Sequence, residues 1–143
     1  MPTVFLVDDE ADHLLGIRYL LEDRGHDVEV FYTADAAYEN LTNRKDESIG
    51  ALLIDLTLSP GARYNEIFTE ADTANYLYTG RTLAEQLLKS DRKQFEKKIA
   101  ILTGAWTIDD RTRRFVELEN IPILTKRPDP HSLISEIEEL FLK

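Results

Sequence analysis

The amino-acid sequence predicts an α/β fold, a parallel sheet with helices on both faces, and three observations carry that expectation. Short apolar runs recur and each stops at a polar residue: Val4–Val7 at Asp8 and Asp9, Leu52–Ile54 at Asp55, Ile99–Leu102 at Thr103, and Ile123–Thr125 at Lys126. Runs of that length between polar segments read as strands buried on both faces. The segments between them repeat apolar residues three and four apart, the spacing of a helix that packs by one face. Strand and helix alternate five times, and right-handed crossovers joining such units give a parallel sheet.

Each element has its own local signal. After the first strand, Leu14, Ile17 and Leu21 mark one face of a helix that stops near Gly25. Val28–Phe31 alternates in character, as a strand near a sheet edge does. Thr33 suits the cap of a second helix carrying Ala37 and Leu41, because its hydroxyl can accept an orphan backbone N–H. The third strand follows Gly50 and ends at Asp55. A third helix begins near Gly80 or Arg81 and turns Leu83, Leu87 and Leu88 inward. The fourth strand covers 98–103, a fourth helix covers about 109–118, and Pro122 opens the fifth strand. Pro130 fits a first helical position, and the last helix uses Leu133, Ile137, Leu140 and Phe141 as its core stripe.

Residues 59–79 break the rhythm, since a strand-to-helix loop usually takes about 2–6 residues. Ile67, Ala71, Ala74 and Tyr78 recur there at helical spacing after a candidate cap, Asn65. Tyr64, Phe68, Tyr76 and Tyr78 give this insert apolar surface that needs burial. An insert anchored at the rim of the strand ends is expected to fold over or beside the pocket as a partial lid.

At 143 residues the chain is expected to form one domain, 1–143, that buries roughly two-thirds of its unfolded surface. A net charge of −10 argues against a nucleic-acid surface, which demands clustered Lys and Arg. The lack of Cys removes disulfides, thiolate nucleophiles and Cys-ligated metals, and matches a cytoplasmic location. No run approaches the ~18 consecutive apolar residues of a membrane span. The apolar start before the acid pair is too short for a signal-peptide core.

In an open α/β sheet, ligands sit beyond the carboxyl ends of the strands. Asp8, Asp9, Asp55, Thr103 and Lys126 would meet there. Three carboxylates so close do not all ionise comfortably without a cation. Mg²⁺ suits them, because it takes oxygen ligands and works with one or two carboxylates, waters and phosphate oxygens. A carboxylate can also attack phosphorus and form an acyl phosphate. Lys126 offers a compact positive charge for phosphate oxygens and Thr103 a hydroxyl donor.

On the segments VFLVDDE, LLIDL, ILTG and ILTK, with DP two residues after the last, the chain resembles the receiver domain of two-component response regulators. The resemblance covers the whole length apart from the insert. It implies a flavodoxin-like five-stranded parallel sheet of order 2-1-3-4-5 with an extended loop after strand three. It implies Asp55 as phosphoacceptor, Asp8 and Asp9 as Mg²⁺ carboxylates, and Thr57 as a metal ligand through its backbone carbonyl. Thr103 becomes the switch hydroxyl and Lys126 the phosphate-pairing ammonium. The implied partners are a histidine kinase or phosphotransfer protein and an unidentified downstream protein, with no nucleic acid or membrane contact by this domain. Its own chemistry would be self-phosphorylation and slow hydrolysis, so the chain is not classed as an enzyme.

Three positions depart from the family pattern. Arg127 stands between Lys126 and Pro128 where receivers usually have Pro, Ile123 replaces a frequent aromatic, and Gly80 lies 25 residues beyond Asp55. The alternative function is a receiver-like interaction scaffold acting without phosphorylation. A phosphohydrolase of the haloacid-dehalogenase type would need Asp where Thr57 stands. His13, His26 and His131 share no metal-ligand spacing and are expected on the surface or in turns. Gly16, with Asp12 and His13, is placed on the outer face of the first helix, where a small residue admits a partner helix or is merely tolerated. Arg111, Arg113 and Arg114 read as a solvated helix face.

Overall fold

The apolar runs fold as the strands of one parallel sheet in order β2-β1-β3-β4-β5. The computed structural model describes residues 3–10, 15–44, 49–57, 78–104, 108–126 and 129–142. Along the chain these form β1 (Thr3–Val7), α1 (Leu15–Asp23), β2 (Asp27–Phe31), α2 (Ala34–Thr42), β3 (Ile49–Asp55) and α3 (Thr79–Ser90). Then follow α4 (Arg92–Phe95), β4 (Ile99–Thr103), α5 (Asp110–Glu119), β5 (Ile123–Thr125), α6 (Pro130–Ile137) and a π-helical end, Glu138–Leu142. The expected flavodoxin-like strand order is the one observed.

β1, β3 and β4 are buried along nearly their whole length, which their unbroken apolar runs require. β2, at the edge, is only half-buried, in keeping with its alternation. Two cores result. Phe5, Val7, Leu52, Ile54 and Ile101 pack against α2 and α3 through Leu41, Leu83 and Leu87. On the other face Val4, Leu6, Leu53 and Leu102 pack against Ile17, Leu21, Leu133 and Ile137 of α1 and α6. Full burial of each such side chain stabilises the fold by about 1.5–3 kcal/mol.

Caps set the helix starts. The Thr33 hydroxyl accepts the Ala36 N–H at 3.4 Å, Asp109 that of Thr112 at 3.1 Å, and Asp129 that of His131 at 3.1 Å. The expected boundaries need small corrections. β3 opens at Ile49, ahead of Gly50, and β4 at Ile99 rather than Lys98. α3 opens at Thr79, so the insert's last residue already belongs to that helix. The short α4, capped by Asp91, has too few residues to show periodicity and went unpredicted. Leu140 is not core but 47% exposed, while Ile134 is buried. The π-helical end explains this, because its wider turn rotates side chains off the α-helical stripe. Leu14, Asp12, His13, Arg127 and insert residues 59–77, including Tyr64, Asn65, Ile67, Phe68 and Tyr76, lie outside the described residues, and so does the lid expectation. No described helix is long and apolar enough to cross a membrane.

Candidate functional site

Strand register brings the polar strand ends to one rim. Val7 pairs with Ile54, Asp55 with Leu102, and Thr103 with Thr125. Asp8, Asp55, Thr103 and Lys126 therefore occupy neighbouring positions at or just past the carboxyl edge. The backbone fixes them there: the Asp8 N–H donates to the Phe31 carbonyl at 3.0 Å, and the Lys126 N–H donates to the Thr103 carbonyl at 3.0 Å.

Lys126 is the hub of the side chains. Its ammonium lies 3.0 Å from Asp8 Oδ2 and 3.4 Å from Asp55 Oδ2. Asp8 is fully buried, and its Oδ1 accepts the Glu10 N–H at 2.8 Å. Asp55 is 4% exposed, and its Oδ1 receives only long contacts from Thr57, 3.4 Å from the amide and 3.5 Å from the hydroxyl. Asp9 is exposed, yet one carboxylate oxygen from each of Asp8, Asp9 and Asp55 falls within 4.8 Å of the others. Thr103 is buried at the end of β4, and Thr57 is exposed.

The charges are unbalanced. Burial, and then the Asp8 carboxylate, push Asp55 up from 3.8 to about 6 despite the nearby ammonium. Burial and Asp8 also raise Asp9 above its ordinary range. Burial alone would lower Lys126, but Asp55 and Asp8 outweigh it and hold the ammonium charged. Clustered carboxylates with raised proton affinity and an exposed member are a donor set that fits a hard divalent cation.

Gly80, read from sequence only as a helix start, is part of this architecture. Its N–H donates to the Leu56 carbonyl at 3.0 Å, and a Cβ there would lie 2.0 Å from the Asp55 carbonyl oxygen. Only glycine lets α3 start directly against the strand end that carries Asp55. Arg81, beside it, is buried, and nothing in the sequence pattern signalled that. His26 sits in the α1–β2 turn as expected and meets Glu138 at 3.2 Å. Arg111, Arg113 and Arg114 are exposed along α5.

The chain has the fold of CheY-like receiver domains. Three solved structures illustrate it. A CheY-like response regulator receiver domain protein from Methanospirillum hungatei JF-1 is similar with a TM-score of 0.70 and 21% identity, over 97% of this chain and 92% of that one. The chemotaxis protein CheY4 of Vibrio cholerae gives a TM-score of 0.69 and 15% identity, over 99% of both chains. The receiver domain of Francisella response regulator 1452 gives 0.65 and 20%, over 98% and 96%. No protein-family model and no curated protein sequence matches the chain.

Proposed function

We propose that this chain is the phosphoacceptor receiver of a two-component phosphorelay, taking a phosphoryl group on Asp55 in a Mg²⁺-dependent step and switching its partner contacts. The observation that carries the reading is the buried Asp55 carboxylate, within 3.4 Å of the Lys126 ammonium and clustered with Asp8 and Asp9 at the carboxyl edge of a receiver-type sheet. With its proton affinity raised to about 6, Asp55 is ionised at neutral pH and more basic than an ordinary carboxylate, which suits a nucleophile.

In the proposed step an Asp55 carboxylate oxygen attacks phosphorus on a phosphohistidine. The new P–O bond forms as the P–N bond breaks, and the electron pair leaves with the imidazole nitrogen. Lys126 offsets charge on the phosphoryl oxygens, and the Thr103 hydroxyl donates to one of them. Asp8, Asp9, Asp55 and the Thr57 carbonyl would hold Mg²⁺, which supplies positive charge to the same oxygens. Water then hydrolyses the acyl phosphate slowly, so the chain acts as a switch and not as an enzyme with its own substrate. The donor is a histidine kinase or phosphotransfer protein in the cytoplasm. Residues 1–143 act as a single domain in this reading, and the net charge of −10 disfavours nucleic acid as its target.

Intact-mass measurement after acetyl phosphate and Mg²⁺ tests the proposal. One added phosphoryl group is expected, absent without Mg²⁺ and absent in Asp55→Asn. Equal labelling of Asp55→Asn would refute it.

A further inference from the structure

The first turn of α3 is built onto the backbone of the strand end that carries Asp55. The Asp55–Leu56 peptide lies between two neighbours. On one side the Leu56 N–H donates to the Leu102 carbonyl of β4 at 3.0 Å, and on the other the Leu56 carbonyl accepts the Gly80 N–H at 3.0 Å. The second bond serves a helix start that has no side-chain cap, since Tyr78 at the cap position makes no such hydrogen bond. It satisfies one of the orphan N–H groups of that turn. A Cβ on Gly80 would stand 2.0 Å from the Asp55 carbonyl oxygen, 2.8 Å from its carbon and 2.9 Å from Leu56 Cα. The helix therefore bears on the backbone of Asp55 itself, through a residue that has no side chain.

Neither side of this contact yields freely. α3 is anchored by Arg81, which is 1% exposed and donates to Glu85, Asp109 and Thr112 at 3.1–3.2 Å. The strand end is anchored to β4 through Leu56 and Leu102. The Asp55 carboxylate, 3.4 Å from the Lys126 ammonium, hangs one methylene from this backbone, so a shift of the one is a shift of the other.

We infer that Gly80 is a positioning residue for phosphoryl acceptance: packed without a Cβ on the Asp55–Leu56 peptide, it fixes the acceptor backbone and with it the place of the carboxylate beside Lys126 and Asp8. The inference rests on the phosphoacceptor reading. A methyl group on Gly80 forces helix and strand end apart by about 1.4 Å, from 2.0 to 3.4 Å. Because Arg81 anchors α3, Asp55 takes part of that displacement. Misplacing a reacting group by about 1 Å can cost about 100-fold in rate.

The test follows acetyl phosphate labelling of the full chain with Mg²⁺ by intact mass, in the parent, Gly80→Ala, the double variant Gly16→Ala/Gly80→Ala, and Ile137→Val. Gly80→Ala is expected to label Asp55 more slowly, on the order of tenfold to 100-fold. Gly16→Ala adds helix propensity at an exposed position where a Cβ meets nothing within 4 Å. The double variant should therefore regain stability yet label as slowly as the single. Ile137→Val trims a fully buried side chain of α6 in the core on the other face of the sheet. It lowers stability without touching the strand end and should label at the parental rate. A measurement on the parent needs no variant to fold: amide hydrogen exchange should find the Gly80 N–H as protected as the Leu56 N–H, because both hold one peptide. Parental labelling by a folded Gly80→Ala variant, equal slowing by Ile137→Val, or fast exchange of the Gly80 amide overturns the inference while leaving the phosphoacceptor reading intact. Absence of labelling in the parent and all variants overturns both.

Discussion

Gly80→Ala and Gly16→Ala place the same methyl group on two helices with opposite expected outcomes. Helix propensity favours Ala over Gly by about 1 kcal/mol in either case. At Gly16, on the exposed side of α1, the new Cβ meets nothing within 4 Å. That variant should gain up to about 1 kcal/mol. At Gly80 the Cβ would stand 2.0 Å from the Asp55 carbonyl oxygen, 2.8 Å from its carbon and 2.9 Å from Leu56 Cα. These are backbone atoms of a buried strand end, and they cannot rotate away. α3 must retreat by about 1.4 Å to reach an ordinary contact of 3.4 Å, which weakens the Gly80–Leu56 hydrogen bond. Overpacking of this kind costs about 1–3 kcal/mol, and contact with backbone puts it at the upper end. The net expectation is a loss of about 1–2 kcal/mol, a fall in Tm of roughly 3–6 °C for a domain of this size. Urea and thermal unfolding monitored by circular dichroism would measure both variants. Gly80→Ala as stable as the parent would refute the close approach of α3 to β3.

Three further outcomes follow from the pocket's charges. Asp55 keeps its proton up to about pH 6 in the folded chain but only to about 3.8 when unfolded, so its contribution to stability falls as pH rises through that window. Without Mg²⁺, the stability of Asp55→Asn relative to the parent should therefore climb between about pH 4 and 6 and then level off; a flat difference would contradict the raised value. Mg²⁺ at about 100 times its Kd should stabilise the parent by about 2.7 kcal/mol, about 8 °C in Tm, and Asp9→Ala should lose most of that shift in a thermal melt. Lys126→Ala removes the charge that restrains Asp55, so the carboxyl titration followed by NMR should move above about 6, and acetyl phosphate labelling should slow more than in Arg127→Ala. The reverse ranking would place the wrong cation at the pocket.

The fold was legible because its signals are local. An unbroken apolar run needs burial on both faces, and Thr33, Asp109 and Pro130 each announce a helix start within a few residues. The polar strand ends were legible as candidates because parallel strands present all their carboxyl ends to one edge. Contacts between distant segments were not. Gly80 reads as a helix start, but its approach to Asp55 is a meeting of residues 25 apart. Arg81 reads only as a possible helix start, and Arg is almost never fully buried unless paired. Its i+4 partner Glu85 is visible in sequence, whereas Asp109 and Thr112 come from another helix. Leu140 failed for the opposite reason, since a local pattern was extended into a segment whose helical pitch changes.

The contacts also bear on which of the two buried carboxylates suits nucleophilic attack. Both oxygens of Asp8 are engaged at short range, Oδ1 by the Glu10 amide at 2.8 Å and Oδ2 by the Lys126 ammonium at 3.0 Å. Those bonds occupy a lone pair on each oxygen. Among the described residues, Asp55 is held by longer contacts of 3.4–3.5 Å from Lys126 and Thr57, and it shares a side-chain hydrogen bond with Asp8. It also stands next to the Asp8 charge, which raises its basicity. A nucleophile needs an available, basic lone pair, and an electrostatic support needs a fixed negative charge. On the phosphoacceptor reading proposed above, Asp55 suits the first role through its raised basicity and Asp8 the second through its short contacts. The same difference explains why one ammonium can serve both: Lys126 neutralises Asp8 at rest, and a phosphoryl group on Asp55 would place new oxygens within reach of a cation that need not travel to meet them.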